Sequence, residues 1–341
     1  MLKKIEKTMK TRKLSQNGPP LHPVGIGAMS FSNFYGKTNE LESHAILDTA
    51  MEVGVTHIDT ANVYGMGTSE TVIGTYLKAN PSGRDYFTIA TKGSIKRNPN
   101  GAGNIFDNSA AHLQVELEAS LKRLCVEAVD LYYVHRRDPN VPIEEVTETL
   151  AGLVKSGKTK AIGFSEIAPT SLRRAHCVHP IAAVQSEYSL ATRSPELGLV
   201  QTCAELGVAL VAFSPVGRSF LTDKPLSFDA VQDLPFLANN PRFMAPNYNA
   251  NIAAIAPFQA LAADMGLSAA GLAIAWVLAQ GDNVIPIPGT RSLTHFKEIL
   301  QGAEKELTSE ELKTIEAILP VGWAHGDRYS GPQWTGPEKY C

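Results

Sequence analysis

Short apolar segments alternate with longer amphipathic segments along almost the whole chain from about residue 24. Runs rich in Val, Ile and Phe are typical of buried β-strands, and apolar residues three or four positions apart are typical of helices that cover a sheet. The predicted strands span residues 24–28, 56–60, 87–91, 130–134, 160–164, 182–186, 208–213 and 283–287. The predicted helices span residues 41–53, 69–79, 109–124, 143–156, 169–176, 196–206, 268–280 and 292–301.

The number of these units decides the expected fold. Strands that alternate with helices favour a parallel sheet. Eight strand–helix units in roughly 300 residues fit a closed (β/α)8 barrel, whose usual size is about 250 residues plus insertions. We therefore predict an α/β protein with a TIM barrel, and an open doubly wound sheet is the alternative. We expect one domain over residues 1–341, with residues 1–9 as a flexible leader.

Three segments fall outside the eightfold pattern. The dipeptide Asn17-Gly18 predicts an N-terminal hairpin across the base of the barrel. Residues 214–255 predict a long loop after strand seven, and loops of that length in compact domains are commonly lids or binding loops. A last helix is expected near residues 308–319, followed by an irregular C-terminal tail.

Composition narrows the class of partner. The chain has 341 residues, of which 44% are hydrophobic and 19% charged, with a formal net charge of −3. This balance offers no basic surface for nucleic acid or for an anionic membrane, so we expect a small-molecule partner. No apolar run approaches the roughly 20 residues that cross a bilayer, and Cys125, Cys177, Cys203 and Cys341 form no disulfide pattern. We therefore expect a cytoplasmic protein with reduced thiols.

Polar residues that can carry chemistry follow three neighbouring predicted strands. Asp59 and Tyr64 follow strand two, Lys92 ends strand three, and His135 ends strand four. Each residue alone has an ordinary structural role, but the ends of barrel strands form the active site in this architecture. A lysine ammonium about 4 Å from a phenol lowers the phenol's pKa by roughly three units before burial opposes it. We therefore expect Tyr64 to protonate a carbonyl oxygen, Lys92 and Asp59 to tune it, and a neutral His135 to orient the substrate.

Such an acid needs a hydride donor, and the usual dinucleotide motif is absent. Gly25-Ile26-Gly27 lacks the third glycine of a Rossmann fingerprint. Residues 287–292 instead place Gly, Thr, Arg and Ser at the start of a helix after strand eight, which suits a phosphate as well as an ordinary capped loop.

Together these residues resemble the aldo-keto reductase superfamily from about Lys10 onward. The motifs that carry the resemblance are HIDTANVYG at 57–65, TK at 91–92, DLYYVH at 130–135, IGFSE at 162–166, VQSEYS at 184–189, FSPVGRSFLT at 213–222 and IPGTR at 287–291. The resemblance implies a barrel that binds NADPH across its top, with NADH as the alternative, and reduces aldehydes or ketones. It assigns catalysis to Asp59, Tyr64, Lys92 and His135.

The resemblance also implies a cofactor site along the strand ends. Its expected residues are Gly27, Ala28, Met29, Ser165, Glu166, Gln185, Phe213, Ser214, Pro215, Val216, Gly217, Arg218, Phe220, Leu221, Pro288, Gly289, Thr290, Arg291, His295 and Glu298. Glu166 stands where the family often has Asn. The helix after strand eight lacks the family's usual Arg and Glu-Asn pair, which leaves Arg291 as the expected clamp of the 2′-phosphate.

The sequence leaves alternatives open for the substrate pocket and for the function. Candidate substrate contacts are Phe31, Tyr35, Arg136, Trp323 and Tyr329, for which core packing and solvation are equally good explanations. A nucleotide-sensing subunit with little turnover is one alternative function. A metal-dependent barrel hydrolase is another, with ligands drawn from His57, Asp59, Lys92, His135, His176 and His179, although no metal is expected. A Schiff-base aldolase built on Lys92 is the third.

Overall fold

The structure, a computed structural model, describes residues 10–15, 18–98 and 103–340. Its central sheet has eight parallel strands in the order β1, β2, β3, β6, β7, β8, β9, β10. These strands span Ile26–Gly27, His57–Asp59, Thr88–Gly93, Leu131–Val134, Ile162–Ser165, Ala183–Glu187, Ala209–Phe213 and Val284–Pro286. All eight predicted strand positions are therefore confirmed, although most of the observed strands are shorter.

The first and last strands meet and close the sheet into a barrel. The Gly25 N–H donates to the Pro286 carbonyl at 2.9 Å, and the Gly27 N–H donates to the Pro288 carbonyl at 3.0 Å. The interior is packed with small and branched side chains, among them Ala90, Val211 and Ile285. The alternative of an open doubly wound sheet is therefore wrong.

Helices cover the outside of the barrel because most of them bury one apolar face against the strands. The helices that follow barrel strands are α1 (Glu40–Val53), α2 (Thr68–Ala79), α4 (Ala110–Leu124), α5 (Ile143–Lys155), α6 (Pro169–Val178), α7 (Leu199–Leu206), α11 (Ala269–Leu278) and α12 (Leu293–Glu304). The remaining α-helices are α3 (Ser82–Tyr86), α8 (Phe228–Gln232), α9 (Pro235–Ala238), α10 (Asn247–Asp264) and α13 (Ser309–Ile318). All eight predicted covering helices and the predicted last helix are present.

Helices α3, α8, α9 and α10 and one small hairpin were not predicted. Helix α10 begins at Asn247, inside the segment 214–255 that the sequence indicates as loop. Its asparagines and the internal Pro257 are typical of irregular chain, but burial of Ile255 and Phe258 outweighs that local preference. A small antiparallel hairpin, β4 (Ile95–Arg97) with β5 (Asn104–Phe106), was missed because each strand has only three residues.

The first and last described segments of the chain lie at opposite ends of the barrel. Arg12 and Leu21 exchange backbone hydrogen bonds of 2.9 and 2.8 Å, and Leu14 and Leu21 pack against the barrel interior, as a hairpin across the base requires. Asn17 and the expected leader 1–9 lie outside the described residues. The C-terminal tail crosses the other end of the barrel, where the Glu338 N–H donates to the Glu166 carbonyl at 2.8 Å.

Candidate active site

Four polar side chains meet at the carboxyl end of the barrel, where three neighbouring strands finish. β2 ends at Asp59, β3 carries Lys92, and His135 directly follows β6. Tyr64 comes from the turn after β2, and the Asn62 N–H in that turn donates to the Lys92 carbonyl at 3.1 Å. The structure thus brings together the four residues that the sequence selects.

The Lys92 ammonium is at the centre of this group and is fully buried. It forms an ion pair with Asp59, donates to the Thr60 carbonyl at 2.8 Å and donates to the Tyr64 hydroxyl at 3.3 Å. The Gln185 amide donates to the other Asp59 oxygen at 2.7 Å. Lys92 therefore makes its three polar contacts inside the site, one of them with the phenol.

These contacts set the protonation states. Burial raises the pKa of Tyr64 above its ordinary value of 10, and the charge of Lys92 opposes this increase without cancelling it. Burial alone would lower the pKa of Lys92, but Asp59 and Tyr64 raise it overall. The Lys92 charge lowers the phenol pKa, as expected from the sequence, but desolvation of the phenol has the larger effect. Tyr64 is a neutral phenol at pH 7, and Lys92 is an ammonium.

His135 faces the same centre as a neutral imidazole. Its ring makes an edge contact with the Tyr64 ring, with centroids 5.8 Å apart. Burial, with the charges of Arg136 and Lys92, holds the pKa of His135 well below its ordinary value of 6.5. Its Nδ1 is buried without a hydrogen-bond partner among the described residues. A neutral, uncommitted ring nitrogen next to a phenol can hydrogen-bond a substrate oxygen.

Several expected cofactor residues line the strand ends around this centre. Ser165 ends β7 and accepts a hydrogen bond from Arg136 at 3.0 Å. Phe213 ends β9 and is half-buried, so part of its ring remains accessible. In the following loop, Ser214, Arg218 and Ser219 have φ values of 50°, 54° and 87°. Left-handed backbone at three residues other than glycine is typical of ligand-binding loops.

The end of β10 supplies a second group of expected cofactor residues. A Cβ on Gly289 would lie 2.8 Å from the Gly27 carbonyl oxygen, so the ends of β1 and β10 approach closely there. Arg291 is exposed, and its guanidinium donates to the Lys37 carbonyl. Ser292 caps helix α12 by accepting from the His295 N–H at 3.3 Å. The remaining expected residues at these strand ends are Ala28, Met29, Pro215, Val216, Gly217, Pro288, Thr290 and Glu298, of which Ala28, Pro215, Gly217 and Pro288 are buried.

Four of the expected contact residues are buried among other side chains. Phe220 stacks on Phe243 with centroids 4.4 Å apart, and the side chain of Leu221 is buried in the core. Phe31 is also a core residue. Trp323 is buried, and its indole N–H donates to the Leu190 carbonyl at 2.8 Å. Burial of these apolar side chains stabilises the core, and direct contact of any of them with a ligand stays a prediction.

An ionic network that the sequence did not reveal lies across the mouth of the barrel. Arg328 of the tail forms ion pairs with Glu166 and, at 3.2 Å, with Glu187. Arg218 donates to Glu187 at 2.6 Å and to the Arg328 carbonyl at 2.8 Å. The carboxylate of Glu166 also accepts from the Ser186 hydroxyl, which leaves it poorly suited to the expected contact with a cofactor amide. No sequence pattern pairs an arginine of an irregular tail with strand-end carboxylates.

The rim next to this network is aromatic. The Arg218 guanidinium lies 5.2 Å from the centre of the Phe236 ring and 5.0 Å from that of Tyr329. Tyr35 is half-buried, and the charge of Arg218 acts on it. The charges of Arg136 and Arg218 also act on Tyr329, so the expected substrate contacts Tyr35, Tyr329 and Arg136 lie near one another. Phe236 was missed because it belongs to the segment 214–255, which has no regular pattern.

The alternative chemistries find less support in these contacts. Over residues 10–15, 18–98 and 103–340, no group of three or more His, Cys, Asp or Glu side chains is placed to hold a metal ion. The raised pKa of Lys92 keeps its amine protonated, which disfavours a Schiff base.

In the described part of the chain no single helix is both long and apolar enough to span a membrane. One pair of helices that qualifies only jointly, α10 with α11, is bent by 87°. Cys125, Cys177 and Cys203 are free thiols, and Cys341 lies outside the described residues.

Comparison with known proteins identifies the family. The model of the aldo/keto reductase family matches residues 23–320. A probable aldo-keto reductase 1 of Glycine max is 38% identical over 321 residues, which are 93% of this chain and 91% of that protein. The aldo-keto reductase yakc [NADP(+)] of Schizosaccharomyces pombe is 33% identical over 94% of each chain.

Solved structures agree with the sequence comparisons. A glycerol dehydrogenase from Gluconobacter oxydans has a TM-score of 0.79 at 28% identity, over 91% of this chain and 95% of that one. The holo form of an aldo-keto reductase from Bacillus halodurans has a TM-score of 0.74 at 26% identity, over 95% and 99%. The chain belongs to the aldo/keto reductase family of oxidoreductases.

Proposed function

We propose that the protein reduces aldehydes or ketones to alcohols with NADPH, and that Tyr64 donates the proton. The observation that carries the proposal is the 3.3 Å hydrogen bond between the Lys92 ammonium and the Tyr64 hydroxyl, with Asp59 buried behind the lysine. This arrangement joins a neutral acid to a fixed positive charge. It matches the needs of proton transfer to an oxygen on which negative charge develops.

The residues at the strand ends suit a nicotinamide dinucleotide. The Ser165 hydroxyl and the Gln185 amide offer the donor and acceptor groups that a carboxamide requires, and the accessible part of Phe213 offers an apolar face. Arg291 is exposed beside the start of helix α12, where a cation and backbone N–H groups favour a phosphate. The Schizosaccharomyces pombe relative carries NADP(+) in its name, which supports NADP(H) over NAD(H). When bound, the nicotinamide supplies the hydride.

The side chains of this protein then donate the proton and stabilise the charge that it leaves behind. Because the pKa of Tyr64 is raised, the phenol is fully protonated at neutral pH and ready to donate. When the proton leaves, the phenolate forms next to the Lys92 ammonium, which stabilises it. Asp59 keeps Lys92 charged and prevents it from turning away. The neutral His135 hydrogen-bonds the carbonyl oxygen and aligns it with Tyr64.

We expect the substrate to bind beside Tyr35, Tyr329 and Arg136, which lie near one another. Two phenols and a guanidinium favour small carbonyl compounds with some polar substituents. We propose no nucleic-acid or membrane partner, in keeping with the near-neutral charge. A cytoplasmic location and a single domain stay predictions from the sequence.

Nucleotide titration followed by a carbonyl panel tests this function. Quenching of protein fluorescence by NADPH and by NADH measures both affinities, and loss of nicotinamide absorbance measures turnover. We expect saturable binding with tighter binding of NADPH, and turnover on at least one aldehyde or ketone. Binding without turnover on a broad panel would favour the nucleotide-sensing alternative, and an absence of nucleotide binding would refute the proposal.

A further inference from the structure

Helix α2 carries a fully buried carboxylate, Glu70, that the proposed chemistry does not use. One of its oxygens accepts a hydrogen bond from the Thr91 hydroxyl, and the other accepts from Arg123 Nε at 2.6 Å. Arg123 lies in the last turn of helix α4. An ionised carboxylate away from water is unfavourable unless it is paired. We call these three residues, Thr91, Glu70 and Arg123, the outer clamp.

The outer clamp contacts strand β3 at Thr91, the residue that directly precedes Lys92 of the active site. Successive side chains of a strand point to opposite faces. Lys92 points into the barrel, where it meets Asp59, so the neighbouring Thr91 points outward to the helices, where it meets Glu70. Both side chains are completely buried. Displacement of Thr91 would therefore displace Lys92 as well.

The same helix α4 also holds the turn that carries Tyr64. The Asn62 side-chain amide donates to Glu116 at 2.6 Å. Glu116 and Arg123 are seven residues apart and so share one face of the helix. Helix α4 thus fixes the chain two residues before Tyr64, through Asn62, and six residues after it, through Glu70.

The contact between the two helices leaves little room for adjustment. A Cβ on Gly74 of helix α2 would lie 2.0 Å from the Arg123 carbonyl oxygen, and a Cβ on Gly67 would lie 2.6 Å from Arg123 Cδ. Only glycine permits this approach at both positions. The Arg123 side chain is therefore confined, and its ion pair with Glu70 has a defined geometry.

We propose that Glu70, held by Arg123, is a positioning residue that keeps Lys92 and Tyr64 at hydrogen-bonding distance. The proposal rests on the proposed role of Tyr64 as proton donor. A misplacement of about 1 Å can reduce turnover by about 10²-fold. Glu70→Gln keeps the shape of the side chain and removes its charge, so it loosens the outer clamp without creating a cavity. Thr91→Val removes only the link to strand β3 and keeps the Glu70–Arg123 pair.

The test compares these two variants with Glu144→Gln, which breaks the exposed Glu144–Arg174 pair in the same helical layer. We expect kcat to fall about 10-fold to 100-fold in Glu70→Gln and Thr91→Val, with KM and the nucleotide Kd within about twofold of wild type. Glu144→Gln is expected to keep wild-type values. Arg123→Lys is expected to retain more turnover than Arg123→Met, because it keeps the charge.

A second readout does not depend on turnover. Ultraviolet difference titration against the matching Tyr64→Phe proteins reports ionisation of Tyr64, which we expect at higher pH in the clamp variants because Lys92 lies farther away. If the wild type reduces no carbonyl, the proposed function fails, and this titration still tests the positioning. If Glu70→Gln does not fold, Thr91→Val decides.

Two results would overturn the inference. The first is a folded Glu70→Gln or Thr91→Val protein with wild-type kcat and unchanged ionisation of Tyr64. The second is a parallel fall in Tm, nucleotide affinity and kcat with unchanged ionisation, which would make the clamp merely structural.

Discussion

Replacement of Lys92 by Met removes the charge beside Tyr64 and keeps a side chain of similar length. The Nζ and hydroxyl atoms are 3.3 Å apart. At an effective dielectric constant of about 20, the ammonium stabilises a phenolate at this distance by about 5 kcal/mol. Since about 1.4 kcal/mol corresponds to a factor of ten, the expected loss of kcat is about 10³-fold, within the range for a positioned acid.

The same substitution also affects folding, and this effect can be separated from catalysis. Asp59 is only 1% exposed, so Lys92→Met leaves a buried carboxylate without its cation. Removal of one partner from a buried ion pair commonly costs about 3–5 kcal/mol of stability. The double variant Asp59→Asn/Lys92→Met removes both charges and should recover much of that stability. It should not recover turnover, because the phenolate still lacks a cation.

Three measurements on these proteins complete the test. Urea unfolding gives the free energy of unfolding, fluorescence titration gives nucleotide affinity, and nicotinamide absorbance gives kcat. We expect stability to recover in the double variant while kcat stays about 10³-fold below wild type. If turnover returned together with stability, Lys92 would act only through the fold, and its charge would have no role in catalysis.

Other consequences are open to measurement. The pKa of His135 is held well below 6.5, so the unfolded chain binds a proton that the folded protein does not, and stability should decrease as pH falls below about 6.5. When the pH is lowered through this range, the urea midpoint of unfolding should decrease less in His135→Asn than in the wild type. Because the pKa of Tyr64 is raised, kcat for reduction should fall only above about pH 10. Arg291→Ala should weaken NADPH binding about 10-fold and leave NADH binding unchanged, by fluorescence titration. Trp323→Phe should lower Tm without changing KM for any substrate.

The barrel was predictable because each of its strands and helices is specified by residues that are close together in the sequence. Each strand is a short apolar run such as residues 208–213, and most covering helices have an apolar face. Side-chain N-caps mark the starts of α1, α4, α11 and α12. The positions of Asp59, Lys92 and His135 at strand ends follow directly from that pattern, so their convergence was predictable as well. Eight units also decide between a closed barrel and an open sheet.

The features that could not be predicted depend on tertiary contacts. Helix α10 forms around Pro257 because its apolar residues are buried, which no local preference indicates. The ion pairs of Arg328 join a tail to strand ends more than 140 residues away in sequence. The upward shift of the pKa of Tyr64 depends on the extent of its burial, and that quantity comes only from the folded structure.

We propose that the Tyr64 hydroxyl supplies the proton, and Tyr64→Phe removes that hydroxyl with the smallest change in shape. The substitution removes one oxygen atom and keeps the ring that contacts His135. We predict that the variant binds NADPH as tightly as wild type while kcat for carbonyl reduction falls about 10²-fold to 10⁴-fold. A Tyr64→Phe protein that turns over at nearly the wild-type rate would contradict the account.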